Sequence, residues 1–312
     1  MHREVDVTQY EAARKRRTVI SGILIFLVIP ATVLGGSLLI GSDFYMVGSA
    51  LILIYTMIPF FMVFEHRKPK AREIVLIAMM AALTVVIQLF FHITVPIQAG
   101  TALVIISGIS LGPEAGFLIG ALARFMCNFY MGQGPWTPWQ MFCWGILGFI
   151  AGLIFNKVDM DQLKSRSFKV VLGPVVGIGF AVLAAYVCYL IWPGDDKTFF
   201  GWRLYVFGAA GLIAGMLLQR KRLPVDGLSM ALFTFFATFI IYGGIMNICA
   251  MVNAAALPGG RAISFDTLRI LYISGAPYDA SHAATAALFV FLFGDAFIKK
   301  LERIKIKYGI YK

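Results

Sequence analysis

The sequence predicts an all-α, polytopic membrane helical bundle of about ten transmembrane helices with both termini in the cytosol. Three observations predict it. Hydrophobic residues make up 60% of the 312-residue chain and charged residues only 14%, against roughly a quarter charged in a soluble domain. Mean hydropathy is +0.82. The apolar residues fall into runs close to the ~20 residues that a bilayer crossing needs, and basic residues gather in alternate connections between the runs.

In chain order the runs lie near 18–40, 44–65, 73–92, 100–112, 114–130, 139–156, 169–192, 203–219, 228–253 and 282–298. The first follows five basic residues but lacks a small-residue cleavage site, so it reads as a retained span rather than a signal peptide. The fourth is short and ends at Ser110-Leu111-Gly112-Pro113. It predicts a half-length or strongly tilted helix, whose freed backbone groups must be covered by protein. An inside N-terminus puts 22 of the 27 Lys and Arg on the cytosolic side, in residues 3–17, 67–72, 157–169, 220–222 and 299–312. Lys197, Arg203, Arg261 and Arg269 stay outside, and Arg124 falls within a span. This is the asymmetry that orients membrane proteins. The formal net charge of +11 then reads as a topology signal plus contact with anionic lipid headgroups, not as a nucleic-acid footprint. Cys127, Cys143, Cys188 and Cys249 lie in apolar runs without metal-type spacing and read as small buried hydrophobes.

Small residues recur at four-residue spacing. Gly145, Gly148 and Gly152 are echoed by Gly208, Gly211 and Gly215, and Gly112, Gly116 and Gly120 form another such line. Ala78 and Ala82, with Ala81 adjacent, form a similar patch on the third run. Such faces let helices approach closely in lipid, and spacing alone favours packing inside the protein over docking of a partner.

Polar and aromatic groups concentrate on the predicted outer side. One loop holds His92, Thr94, Pro96, Gln98 and Thr101. A second, Met131–Gln140, holds Gln133, Trp136, Trp139 and Gln140 in a frame of two glycines and two prolines that stops helix on both sides. A third, about 254–281, holds Arg261, Ser264, Asp266, Arg269, Tyr272, Tyr278 and Asp279, with His282 at the mouth of the last run. Asn128 and Asn247 lie in or near the outer ends of their spans, where polar groups face cavities or neighbouring helices. The two Trp read as pocket walls or as interfacial anchors. Asp279 reads as a cap for the last helix or as a ligand contact. Arg124, at a cost of ~2.5–3.5 kcal/mol on insertion scales, must meet a carbonyl, an acid such as Glu114, or a ligand anion. Asp279 and His282 alone are too few to hold a metal.

No phosphate-binding Gly-rich loop, His-Glu-x-x-His or Gly-x-Ser-x-Gly motif is present, and no catalytic set emerges. Glu114, in a turn near the cytosol, reads as the candidate acid for proton coupling, which normally shows acids buried in spans. An outward pocket without catalytic residues or an energy source of its own points to a binding subunit that borrows energy from partners. A stand-alone secondary transporter of a small organic solute and a membrane-embedded lipid-modifying enzyme are the alternatives.

Residues Gln98–Gly152, with Gly-Pro-Glu-Ala-Gly (112–116) and Gly-Pro-Trp-Thr-Pro-Trp-Gln-Met (134–141), resemble the substrate-binding S components of energy-coupling factor (ECF) vitamin transporters. So do Tyr278-Asp279-Ala-Ser-His282, the following Leu301–Lys305, and the Ala-x-x-x-Ala patch of the third run. The resemblance covers roughly 72–156 and 225–312. It implies a six-helix vitamin binder that works with a T component and two ATPase subunits, without a cofactor, in a bacterial cell membrane. It makes Ala78, Ala81 and Ala82 the partner interface, reversing the preference from spacing. Gln98, Gln133, Trp136, Trp139, Asn247, Asp279 and His282 become pocket candidates, beside Asn128, Arg269 and Tyr278 from the outer constellation. The signature looks most like members that transport cobalamin, which would be substrate and not cofactor. The chain then divides into an extra N-terminal helix pair (1–70), a first part of the core (71–156), an inserted helix pair (157–224) and a second part of the core (225–312).

Overall fold

The computed structural model describes residues 19–40, 44–62, 71–94, 97–155, 168–194, 201–218, 223, 225–257 and 259–310. Among these residues we number ten helices: α1 (Val19–Leu39), α2 (Tyr45–Met62), α3 (Ala71–Thr94), α4 (Ala99–Leu111), α5 (Pro113–Met131), α6 (Thr137–Ile154), α7 (Phe168–Ile191), α8 (Trp202–Leu218), α9 (Gly227–Ala255) and α10 (Phe265–Tyr308). Single π-helical segments interrupt α1 at Leu24–Val28 and α9 at Thr238–Gly243. Helices α1, α3, α6, α9 and α10 are each long and apolar enough to cross a membrane. The protein is an all-α, multi-pass membrane bundle.

Helix α4 is its centre. All thirteen of its residues are buried, among α3, α5, α6 and α10. At about 1.5 Å per residue it rises only ~20 Å, so the half-length helix expected from the sequence is a core element wrapped by full-length neighbours. Close approach needs small residues. A Cβ on Gly108 would lie 2.0 Å from the Gly148 carbonyl oxygen, and one on Gly116 would lie 2.6 Å from the Gly108 Cα. Gly112, with φ of 98°, turns the chain from α4 into α5, and Pro113 takes the first helical position. Gly132, with φ of 102°, ends α5 in the same way. Both angles are ones L side chains rarely adopt.

The glycine echo does not repeat this packing. Gly145, Gly148 and Gly152 press on Phe117, the Gly116 backbone and the Pro113 backbone, whereas Gly208 and Gly211 meet the side chains of Ile240 and Ala181 and Gly215 faces open space.

One end of the bundle gathers the described basic groups of α3 and α10. Arg72 donates to the Tyr308 carbonyl (3.4 Å). Lys305 donates to the Ser110 carbonyl (2.7 Å) and to Glu302 (2.6 Å), tying the end of α10 to the end of α4. At the same end Leu223 N donates to the Ile154 carbonyl (2.9 Å). The basic residues of 1–18, 63–70, 157–167 and 219–222, with Lys197 and Lys312, lie outside the described residues.

The last helix corrects a sequence expectation. It starts at Phe265, not near 282, because Ser264 caps it by accepting from Thr267 N (3.2 Å). Gly275 and Pro277 read as helix breakers, yet the helix runs through them. Tyr272, Ala276, Asp279, Ala283, Ala286 and Val290 are buried at three- and four-residue spacing, so one stripe faces α9 throughout, and its burial outweighs the local propensities. Much of the predicted outer loop is therefore helix, and Asp279 caps nothing.

The remaining helices pack around this body. Helices α1 and α2 lie on α5 and α6, with α1 also touching α9, while α7 pairs with α8 and α8 touches α9 and α10. On α3, Ala78 and Ala82 stay exposed beside Val75, Met79 and Val86. Ala81 is on the opposite face, buried against the core, so it belongs to packing and not to a surface patch.

Candidate substrate-binding site

Three groups of buried polar side chains form a belt across the interior. The first lies at the N-terminus of α4, whose leading N–H groups have no partner within their own helix. Gln88 of α3 supplies one: its Oε1 accepts from Gly100 N (2.9 Å), while its Nε2 donates to Gln98 Oε1 (3.0 Å). Thr285 of α10 accepts from Gln98 N (3.3 Å). One residue further, the Thr101 hydroxyl bonds His282 Nε2 (2.9 Å), and the edge of the Tyr242 ring meets the imidazole at 4.5 Å.

The second group surrounds Asp279. Its Oδ2 accepts from Tyr205 of α8 (2.5 Å) and from Asn247 Nδ2 (2.9 Å). Asn247 also donates to the Gly243 carbonyl (2.8 Å). The Tyr205 ring stacks on Tyr272 at 4.2 Å and on Phe239 at 5.0 Å. A carboxyl group this deeply buried requires such partners, and a helix from the segment read as an insertion provides one of them.

The third group joins α5 to α6. Gln140 Oε1 accepts from both Arg124 Nε and Asn128 Nδ2, each at 2.9 Å. The Arg124 guanidinium lies over the Trp144 ring, 5.2 Å from its centroid. Arg124 therefore meets a side-chain amide and an aromatic face, not Glu114. Asn128 also donates to Thr137 (3.1 Å), and Thr137 in turn donates to Gln133 Oε1 (2.9 Å) and accepts from Gly134 N (3.1 Å). This network folds the Gly-Gln-Gly-Pro turn back onto α5. Trp144 links the third group to the first, since a Cβ on Gly100 would lie 2.6 Å from both Trp144 Cη2 and Gln88 Oε1.

Three buried atoms of the belt have no hydrogen-bond partner: Asn128 Oδ1, Trp144 Nε1 and His282 Nδ1. Buried polar atoms are nearly always satisfied, and each orphan costs about 1–3 kcal/mol. Other such atoms, among them Ser110 Oγ and Arg203 Nη1, lie elsewhere among the described residues, but these three fall within one interior belt and leave it able to bond something else.

Residues 68–199 match the family model described as the S component of an ECF-type riboflavin transporter. This segment is similar to the S-component family. A UPF0397 protein of Vibrio atlanticus is 29% identical over 110 residues, which are 30% of this chain and 60% of that relative. The chain thus matches less than two thirds of the relative's length. No solved structure matches. The S-component match is to a transporter subunit family rather than an enzyme family. It runs through 157–199, the first half of the segment read as an insertion, and stops before 225–312.

Within this bundle, the sequence candidates divide. Gln98, Asn128, Asn247, Asp279 and His282 are brought into the belt. Gln133 serves the turn, donating to the Phe125 carbonyl (3.2 Å) as well as accepting from Thr137. Trp136 is 41% exposed and donates to Gly132 O (3.3 Å), the placement of an interfacial anchor. Trp139 is buried, but its Nε1 donates to Ser37 of α1 (3.2 Å), so it faces the N-terminal pair. Tyr278 is 65% exposed, and Arg269 sits beside Asp266 (3.9 Å) near the start of α10. The sequence reading missed Gln88, Trp144, Tyr205 and Tyr242. Polar residues in spans were the available signal for Gln88, but nothing local distinguishes Trp144, Tyr205 or Tyr242 from the many core aromatics.

Proposed function

We propose that the protein is the vitamin-binding S component of an ECF importer in a bacterial cell membrane, energised by a T component and two ATPase subunits. The single observation that carries this reading is the set of orphaned atoms, Asn128 Oδ1, Trp144 Nε1 and His282 Nδ1, inside a bundle whose residues 68–199 match the S-component family model. The six-helix core in this reading is α3–α6 with α9 and α10, since α9 and α10 close around α4 and α6 while α7 pairs with α8. The exposed Ala78 and Ala82 present α3 to the T component, on a face that the extra helices leave open. Riboflavin, from the name of the matched family, and cobalamin, from the resemblance in the sequence, are the two vitamins to test.

The expected result is stoichiometric retention of a vitamin by purified protein without ATP, and uptake only when T and ATPase subunits are co-expressed. Asp279, read from the sequence as a loop residue, is a buried acid within α10. Such a group also suits proton-coupled transport, which is the second reading. Proton-driven uptake by this chain alone in proteoliposomes, lost in Asp279→Asn, would establish that reading and overturn the first.

A further inference from the structure

We propose that Arg124 receives an anionic group, a phosphate or carboxylate, of the transported molecule, with Trp144 Nε1–H as the neighbouring donor. The inference rests on the S-component reading and names the chemical class of ligand for its site.

Arg124 is 7% exposed, yet among the described residues it meets no carboxylate. Its hydrogen bond runs from Nε to the neutral Gln140, and its guanidinium lies over the Trp144 face. A guanidinium is a planar fork whose terminal nitrogens match the two oxygens of a carboxylate or phosphate. With Nε held by Gln140 and the plane laid over Trp144, that fork is oriented before any ligand arrives, which reduces the ordering cost of binding. A buried cation without an acid is the arrangement that a structural role would avoid.

The surroundings have the same sign. Trp144 Nε1 is a donor, has no partner and is wholly buried. The N-terminus of α4 lies against the same indole through Gly100, and a helix N-terminus carries partial positive charge. The nearby acid, Asp279, is already engaged by Tyr205 and Asn247. Asn128 Oδ1, an orphaned acceptor on the residue that shares Gln140 with Arg124, is suited to a hydroxyl or amide N–H beside the anion.

The test uses two matched pairs with purified full-length protein: riboflavin 5′-phosphate against riboflavin, and cobalamin, with its phosphodiester, against cobinamide, which lacks it. Mass spectrometry of molecules that co-purify accompanies it. The phosphate-bearing member of one pair should bind about tenfold to hundredfold tighter, the range for a hydrogen bond to a charged group. Arg124→Gln should erase that gap, while Arg124→Lys, which keeps the charge and loses the fork, should keep part of it. Trp144→Phe preserves the ring under the guanidinium and should weaken the phosphate-bearing probe more than its partner, which keeps the proposal testable if Arg124 variants do not fold. A co-purifying anion retained by the wild type and absent from Arg124→Gln supports the proposal equally. Equal affinity for both members of a pair that binds, or a co-purifying molecule without an anionic group, overturns it and leaves the S-component reading standing. A wild-type protein that binds none of the four probes and retains no small molecule overturns both.

Discussion

Gly108→Ala tests the packing on which the belt is hung. The added Cβ would lie 2.0 Å from the Gly148 carbonyl oxygen, 2.8 Å from its carbon and 3.1 Å from its Cα. A carbon needs ~3.5 Å or more from such atoms, so α4 and α6 must separate by more than an ångström along that line. Every offending atom is backbone, and no side chain can rotate away. Over-packing of this kind costs about 1–3 kcal/mol, sometimes more, and here it acts where α4, α5 and α6 cross. Gly179→Ala on α7 is the control, since nothing lies within 4 Å of its Cβ and alanine is favoured over glycine in a helix by roughly 0.5–1 kcal/mol. Thermal unfolding of both variants in the same detergent should leave Gly108→Ala well below the wild type and Gly179→Ala at or above it. Gly108→Ala should also lower vitamin affinity, because Gly100 and Thr101 ride on the same helix. Equal midpoints for the two variants would refute the claim that this crossing depends on backbone contact.

Three further outcomes are expected. Tyr205→Phe keeps both stacked rings but removes a hydrogen bond to a buried carboxylate, so stability should fall by about 1.5–3 kcal/mol; a double-mutant cycle with Asp279→Asn should show the two changes to be non-additive, and simple additivity would mean that the bond contributes nothing. Trp136→Phe with Trp139→Phe should leave vitamin affinity unchanged, measured by fluorescence titration of the remaining Trp, while losing about 1 kcal/mol of stability through the Ser37 bond; a weakened affinity would return these rings to the site. Ala78→Trp should prevent co-purification with the T component and leave vitamin binding intact, whereas Ala81→Trp, at a buried position, should unfold the protein.

Much of the architecture was legible because lipid imposes simple demands. Each apolar run has a helix among the described residues, and the run flagged as too short is the buried central helix α4. The boundary at α10 was not legible. Gly275 and Pro277 advertise a break, and the stripe that overrides them is visible only once α9 lies alongside. The site was half legible. Gln98, Asn128, Asn247, Asp279 and His282 stood out as polar groups near span ends, and all five are in the belt. Trp136 and Trp139 drew attention through their unusual loop, but that loop is organised by Thr137, Gln133 and Asn128 for its own folding. Trp144, one more turn along α6, carries the orphaned donor and has no local mark. Tyr205 could not be found by local reading, since its partner Asp279 is 74 residues away.

The bond from Tyr205 to Asp279 has a consequence for how the chain can be shortened. Helices α7 and α8 look from the sequence like an accessory that could be pruned to leave a smaller, simpler protein. Cutting them out would remove one of the two donors to the buried Asp279 and the ring stacked on Tyr272. A trimmed descendant would have to change residue 279 in the same step or lose its fold. The peripheral pair and this buried acid therefore depend on one another through the Tyr205 bond.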